Sequence, residues 1–198
     1  MMKRWIVPIV VAALSIAAVP AHAATVWDEA VQGDLSSDRL VPTVLTTGAG
    51  INAVLGSVGD GGGGVDRDYF SFSVPAGWQL AAMVLRPETL VSGGASFLGI
   101  QAGTQVTVTP DGFGADALLG YVLYDPEQIG KNLLLEMGLP GGILGSGTYS
   151  VWVQELGGQS PYGVDLLVAQ APIPEPGAAA LLLVGLLGVA AWRRRTPS

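Results

Sequence analysis

The residues best suited to chemistry are three aspartates that flank a glycine-rich stretch. Asp60 precedes four consecutive glycines, and Asp66 and Asp68 follow them. Calcium binds six to eight oxygen atoms from carboxylates, backbone carbonyls and water, and a glycine-rich loop lets carbonyls turn toward an ion. Asp60, Asp66 and Asp68 are therefore a candidate calcium site, to which strand pairing could add Asp34 or Asp38. The spacing is not that of an EF-hand, and a solvated hairpin loop is the alternative.

The body of the chain lacks the residues on which most nucleophilic enzymes and zinc sites depend. There is no cysteine, and the single histidine, His22, falls in an N-terminal segment that we expect to be removed. Catalysis by Ser-His-Asp or Cys-His groups is therefore excluded, as are disulfides and zinc sites built from imidazole or thiolate. A glycan-acting enzyme would need two opposed carboxylates, and Glu88, Glu136 and Glu155 stand in no recognisable motif. We expect no enzymatic activity.

Tryptophan offers a binding alternative, because an exposed indole ring can stack on a sugar. Within the alternating segment 147–155, Trp152 falls on the face opposite Tyr149, Val151 and Val153. This placement makes Trp152 the candidate for an exposed glycan-stacking residue. A calcium-stabilised carbohydrate-binding module is the function that it would support.

The N-terminal residues have the features of a secretory signal peptide. Lys3 and Arg4 are basic, residues 6–19 are predominantly apolar, and Ala21 and Ala23 supply the small-x-small pattern that signal peptidase reads. We predict a signal helix over residues 1–23, cleaved after Ala23 on a Sec-type export route. The remaining body of about 150 residues is long enough for one domain with a sizeable core.

Three features follow one another at the C-terminus: a Pro-Glu-Pro motif, an uncharged run and a basic tail. They are, in order, Pro174, Glu175 and Pro176; residues 177–192; and Arg193, Arg194 and Arg195. The run would span about 24 Å as a helix, somewhat less than the roughly 30 Å of a bilayer's hydrocarbon core. We predict a short transmembrane helix with a cytoplasmic basic tail, which leaves the body outside. A plain anchor that stays attached is the alternative.

This C-terminal order of features resembles the PEP-CTERM sorting signal of Gram-negative bacteria, although Ile173 stands where the family often has valine. The resemblance implies that an exosortase recognises residues 173–198 while the protein is transiently anchored in the inner membrane. It further implies that the tail is then removed and that the protein passes to the cell surface.

The exported body is strongly acidic. Of the nine basic residues of the chain, Lys3, Arg4 and the three terminal arginines lie outside the body, which leaves four. Of the sixteen acidic residues only Glu175 lies outside, so fifteen acids against four bases give a net charge near −11. Such a surface repels phosphate backbones, and we expect no nucleic-acid partner.

Short alternating segments separated by glycine predict an all-β body. The clearest is 69–74, in which Phe70, Phe72 and Val74 share one face and Ser71 and Ser73 the other. Further strands are predicted at 40–45, 51–58, 78–86, 97–100, 106–109, 118–124, 147–155 and 162–168, with an extended arm near 24–38 and a short helix or turn within 126–137. Regular strand spacing with glycine at the breaks is typical of a single β-sandwich.

Five segments of the body also resemble the bacterial pre-peptidase C-terminal (PPC-like) domain, a compact β-sandwich of secreted proteins. They are DRDYFSF at 66–72, VPAG at 74–77, LGY at 119–121, GTYSV at 147–151 and YGVDL at 162–166. The resemblance covers about residues 34–170. It implies that the domain predicted over residues 24–172 is a jelly-roll or PPC-like sandwich, of a kind that in some proteins binds calcium or helps adhesion.

These features together predict a non-enzymatic surface or extracellular-matrix protein. Its expected partners are signal peptidase and exosortase during export, and exopolysaccharide in a biofilm afterwards. A calcium-stabilised carbohydrate-binding module and a secreted glycan-acting enzyme are the two alternatives.

Overall fold

The computed structural model describes residues 23–110 and 115–172, together with the isolated residue 185. The predicted signal helix, the Pro-Glu-Pro motif, the predicted transmembrane segment and the basic tail lie outside these residues. Within the described ranges, no helix is long and apolar enough to cross a membrane.

Nine strands and a few single helical turns make up the described part of the chain. The strands are β1 Ala24–Asp28, β2 Thr43–Val44, β3 Gly50–Asp60, β4 Val65–Val74, β5 Trp78–Leu85, β6 Ser96–Ala102, β7 Gly120–Tyr124, β8 Gly147–Gln154 and β9 Ser160–Gln170. The helices are α1 Glu29–Gln32 and α2 Leu133–Glu136, with 3-10 turns at Ala115–Ala117, Pro126–Gln128 and Pro140–Gly142. The short helical turns within 126–137 agree with the prediction for that segment.

Two groups of strands face each other across one apolar core. β5, β9, β3 and β1 are neighbours in the first group, and β2, β4, β8, β6 and β7 in the second. The groups are joined where β3 and β4 pair over Gly59↔Asp66 and Asp60↔Val65. Side chains of both groups meet in a single buried cluster, including Val54 and Leu166 from the first and Phe70, Val151 and Ile100 from the second. This layering is that of a β-sandwich, and the all-β prediction is confirmed.

The middle of strand β4, residues 68–72, is buried on both faces, which its alternating sequence did not indicate. Phe70 and Phe72 face the main core, yet Ser71 on the other face is only 2% exposed. A second buried cluster, formed by Tyr69, Val106, Val108 and Trp152, covers the outer face of the same group of strands. Ser71 therefore does not lie on a solvated face, whereas Ser73, one residue before the end of β4, is exposed.

The strand predicted at 106–109 is wrong. The backbone N–H of Val106 donates to the carbonyl of Arg39, and that of Thr107 donates to the side chain of Gln101. Because these groups bond to a loop and to a side chain, the segment joins no strand ladder. It forms instead a loop whose valines pack against Trp152.

The first and last described residues of the body lie at the same end of the fold, where β3 begins. β1 runs parallel to β3, with Ala24 opposite Asn52, and β9 runs antiparallel to β3, with Val168 opposite Gly50. The last residue of β9, Gln170, lies two positions beyond Val168. The glycine-rich turn after Asp60 lies at the opposite end of β3.

We predict that Gly59→Ala destabilises the protein more than Gly62→Ala. Both residues have a positive φ, 128° and 89°, which costs a residue with a Cβ roughly 1–2 kcal/mol. A Cβ at Gly59 would also lie 2.5 Å from the carbonyl oxygen of Gly158, whereas one at Gly62 would meet no atom within 4 Å. Urea denaturation should therefore show a loss of about 1 kcal/mol for Gly62→Ala and of more than about 2 kcal/mol for Gly59→Ala. Equal losses would contradict the close contact between the end of β3 and the backbone at Gly158.

Candidate functional site

Three carboxylates from separate parts of the chain converge beside β4. One oxygen atom each of Glu29, Asp34 and Asp68 lies within 4.8 Å of the other two. Glu29 is the first residue of α1, Asp34 follows that helix, and Asp68 lies in β4. We call these three residues the acidic cluster.

Local structure explains how Glu29 reaches the cluster. The side chain of Asp28 caps α1 by accepting the backbone N–H of Ala30 at 3.0 Å. The Oε1 atom of Glu29 accepts the N–H of Leu35 at 3.1 Å, and its Oε2 atom accepts the N–H of Ser57 at 2.7 Å. The carboxylate of Glu29 is thus hydrogen-bonded both to the turn after α1 and to strand β3.

Asp68 is the most deeply buried member of the cluster. The residue is 0% exposed, and its Oδ2 atom accepts a hydrogen bond of 2.8 Å from the Tyr162 hydroxyl. Its Oδ1 atom is buried and has no hydrogen-bond partner among the described residues. A buried carboxylate oxygen without a partner is costly, because it has lost its hydration and gained nothing in return.

Burial and mutual repulsion raise the pKa values around this site. Burial raises the pKa of Asp68 to about 9, and the negative charge of Glu29 adds to the effect. Burial also raises the pKa of Glu29 and of Asp66, the latter with a contribution from the charge of Asp34. The cluster therefore favours either a bound proton or a bound cation.

Glu155 is a second buried carboxylate, and unlike Asp68 it is surrounded by hydrogen-bond donors. Glu155 is also almost fully buried, but it accepts hydrogen bonds from the Ser96 hydroxyl and from the N–H groups of Leu156 and Gly157. Burial opposes ionisation of Glu155, yet these hydrogen bonds outweigh it and lower the pKa. Asp68 has no comparable set of donors.

The arginines of the described ranges are engaged away from the acidic cluster. Arg67 donates to the side chain of Gln154, and Arg39 donates to the backbone carbonyls of Val106 and Thr107. Arg86 forms ion pairs with Glu88 and Asp165. In the part of the chain that the structure describes, no salt bridge therefore neutralises the cluster.

The structure separates the three aspartates of the predicted calcium site. Asp68 and Asp34 belong to the acidic cluster, and Asp66 lies close enough to Asp34 for their charges to interact. Asp60 is exposed and accepts the backbone N–H of Gly62 at 2.8 Å, as expected of a residue in a tight turn. Asp38 likewise accepts the N–H of Leu40 at 2.9 Å. Whether calcium binds stays a prediction.

Sequence reasoning missed Glu29 as a member of the site. Nothing in the spacing joins Glu29 to Asp68, which lies far along the chain and on another group of strands. The signal was local: an aspartate followed by a glutamate at the start of a short helix. The parallel pairing of β1 with β3, which brings that helix to Ser57, is not readable from local sequence.

The predicted exposure of Trp152 is wrong, because the residue is only 6% exposed. Its ring stacks on Tyr69 and meets Phe97 with ring centroids 4.4 Å apart. Trp152 nevertheless lines a cavity of about 270 Å³, whose wall includes Phe97 and the half-exposed Tyr121. Tyr121 stacks on Phe97 at 5.7 Å and, at 50% exposed, is the most exposed of the three aromatic residues that line this cavity.

Comparison with known protein families matches residues 172–195 to the PEP-CTERM protein-sorting motif. The matched segment contains the Pro-Glu-Pro sequence at 174–176, the uncharged run and the three arginines. The predicted sorting motif is thereby confirmed, and it supports an exported protein that an exosortase sorts to the cell envelope or surface. A comparison with curated proteins finds no match.

We predict that the metal-free protein loses stability as the pH rises from about 4 to about 9. An aspartate in an unfolded chain ionises near pH 4, whereas burial keeps Asp68 protonated in the folded protein up to about pH 9. Unfolding therefore releases a proton between these values, and the free energy of unfolding falls by up to about 1.4 kcal/mol per pH unit before levelling off. Urea denaturation in EGTA across this range measures the slope.

Two variants test the assignment of this slope to Asp68. Asp68→Asn should flatten the profile, because an amide of the same shape has no proton to release. Asp60→Asn, which removes an exposed carboxylate of the neighbouring loop, should keep the slope. If wild type and Asp68→Asn had parallel profiles, another group would be responsible.

Proposed function

We propose that the protein is a non-enzymatic surface or extracellular-matrix protein that reaches its place through exosortase processing. In this proposal the chain is exported by a Sec-type signal peptide and is held briefly in the inner membrane by residues 177–192. The observation that carries the proposal is the match of residues 172–195 to the PEP-CTERM protein-sorting motif. Association with exopolysaccharide in a biofilm is the role proposed for the released protein.

The sorting motif begins directly after the folded body. β9 ends at Gln170, and the N–H of Ala171 still donates to the carbonyl of Gly77 at 2.9 Å. The matched motif begins at the next residue, Pro172. Processing at residues 174–176 would therefore take place within a few residues of the folded body.

The geometry of the acidic cluster also supports a role without catalysis. Hydrolysis of a glycan by two carboxylates requires both groups to contact the substrate in a cleft. Asp68 is 0% exposed and hydrogen-bonded to the buried Tyr162, so a polymer cannot reach it in this fold. We propose that the cluster serves the structure of the body rather than the turnover of a substrate.

We predict that replacing Pro174, Glu175 and Pro176 together by alanine blocks processing. The changed protein should keep its C-terminal arginines and remain with the inner membrane, because the exosortase no longer finds its motif. Intact mass and terminal peptide mapping of protein from envelope and medium measure the outcome. Wild type is expected to begin at Ala24 and to end near residues 174–177.

Thr196→Ala is the matched control for this experiment. Thr196 lies in the same tail but just beyond the matched residues, so its replacement should leave processing unchanged. Mature wild-type protein that still carried Arg193 to Ser198 would show that the tail is an ordinary anchor, and the proposed surface role would lose its basis.

Glycan binding is a second candidate function, favoured by the cavity beside β7. Tyr121 is 50% exposed and stacks on Phe97, so it presents an aromatic face beside a concave surface. Gln154 lines the same cavity and could supply a polar contact to a hydroxyl group. This cavity, rather than an exposed Trp152, is where we propose that a sugar would bind.

We predict that Tyr121→Ala reduces retention of the protein on a gel carrying the exopolysaccharide of the producing cell. Loss of one stacking ring should weaken binding roughly two- to tenfold, since aromatic stacking contributes roughly 0.5–1.5 kcal/mol. Leu90→Ala, which removes an exposed apolar side chain elsewhere on the surface, is the control and should not change retention. Elution of wild type in the void volume would exclude this function.

A further inference from the structure

We propose that the cavity beside β7 binds the acyl group of an acylated sugar, an N-acetyl or O-acetyl substituent, whose carbonyl oxygen accepts hydrogen bonds from Trp152 and Gln154. This inference rests on the glycan binding proposed above, because it names the substituent that the same cavity would recognise. It depends neither on the sorting motif nor on a bound metal.

The first observation is an indole N–H group without an acceptor. Trp152 lines the cavity and is 6% exposed, and its Nε1 atom is buried with no hydrogen-bond partner among the described residues. An N–H group that has lost its hydration and found no acceptor costs free energy, and folded proteins contain few such groups. A ligand oxygen beside Trp152 would supply the acceptor.

The second observation concerns the side-chain amide of Gln154, which lines the same cavity. Its Oε1 atom accepts a hydrogen bond of 2.7 Å from the Nε atom of Arg67, its neighbour on β4. Because arginine can only donate, this bond fixes which end of the amide is the oxygen. Within the described ranges the nitrogen of Gln154 has no acceptor, so its two N–H bonds remain for a ligand.

These two donors select the ligand group. Trp152 and Gln154 are two residues apart on β8, so they project from the same face of the strand. A sugar hydroxyl between them could accept a hydrogen bond, but its own O–H would need an acceptor in a largely apolar wall. An acyl carbonyl only accepts, and its two lone pairs allow one oxygen to satisfy both N–H groups.

The rest of the cavity suits the methyl group of an acetyl substituent. Its wall includes Phe97, Leu118 and Leu123, and no described lining residue carries a charge. The volume of about 270 Å³ lies just below the roughly 300–1,000 Å³ of sites for drug-sized ligands, so it suits one sugar ring with its substituent. A carboxylate substituent fits poorly, because the described lining offers no lysine or arginine.

The aromatic residues divide the recognition between the sugar ring and its substituent. Tyr121 is 50% exposed and can lie against the face of a sugar ring. Trp152 is nearly buried, so the part of the ligand that reaches it is a small group rather than the ring itself. Tyr121 should therefore contribute to the binding of many glycans, whereas Trp152 and Gln154 should discriminate acylated from unacylated ones.

The test compares two neutral tetrasaccharides, chitotetraose and cellotetraose. Both are identically linked glucose-type chains, but chitotetraose carries an acetamido group where cellotetraose carries a hydroxyl. The full-length chain in lipid nanodiscs is titrated with each sugar by calorimetry. We expect chitotetraose to bind roughly tenfold more tightly or better, because only its carbonyl satisfies both donors without burying an unpaired hydroxyl.

A second comparison distinguishes the two sources of an acyl group. The exopolysaccharide of the producing cell is tested before and after mild alkali, which removes O-acetyl esters and leaves N-acetyl amides in place. Loss of retention after alkali would assign the O-acetyl group. Unchanged retention together with a preference for chitotetraose would assign the N-acetyl group.

Single variants identify the donors. Gln154→Glu keeps an oxygen for Arg67 but replaces the N–H donors by a second acceptor, so acyl-sugar binding should fall about tenfold or more. Trp152→Phe keeps a ring but removes the indole N–H, and binding should fall roughly two- to tenfold. Trp78→Phe makes the same change on β5 and should bind like wild type. Neither Gln154→Glu nor Trp152→Phe should weaken cellotetraose binding, whereas Tyr121→Ala should weaken both sugars.

Thermal unfolding of each variant separates a lost contact from a lost fold. Reduced binding counts as loss of a donor only where the variant unfolds in one transition near the Tm of wild type. Gln154→Glu, which keeps the bond to Arg67, decides the matter if Trp152→Phe fails to fold. Equal affinity for both tetrasaccharides with no effect of alkali would overturn acyl recognition and leave the glycan site standing. Absence of binding to both sugars and to both forms of the polymer would overturn the two proposals together.

Discussion

The fold depends on one apolar layer held between two groups of strands. Because the chain has no cysteine, burial of this layer has to stabilise the exported body without covalent cross-links. The two groups meet through two residue pairs of β3 and β4, and side chains such as Phe70 and Leu166 fill the space between them. The loop that carries Val106 and Val108 then covers the outer face of β4 and β8.

The position of Asp68 on β4 explains why the acidic cluster is unusual. Asp68 alternates with Phe70 and Phe72, so its side chain lies on the face of β4 that meets the main core. Its carboxylate is therefore enclosed together with the Tyr162 hydroxyl. Burial raises the pKa of Asp68, and the negative charges of Glu29 and Asp34 raise it further. The chemistry of the site thus follows from the packing of the sandwich.

The sequence predicted what depends on local pattern and missed what depends on pairing between distant segments. Alternation around Phe70 and Phe72, and around Tyr149 and Val151, located β4 and β8 correctly. Alternation also predicted that Trp152 is exposed and that residues 106–109 form a strand, and both predictions are wrong. The valines of that segment instead pack against Trp152, and alternation within one strand does not reveal such a covering segment. The site was found only in part: Asp68 and Asp34 were named, but Glu29 reaches them through the β1–β3 pairing, which leaves no local trace.

The two ends of the sandwich differ in what they carry. Ala24 and Gln170 lie at the end where β3 begins, whereas the glycine-rich turn after Asp60 lies at the opposite end. Both connections from the body to the rest of the chain therefore leave from one end of the sandwich. The glycine-rich turn is the part of the body farthest from both connections, so a change of length there would disturb neither of them.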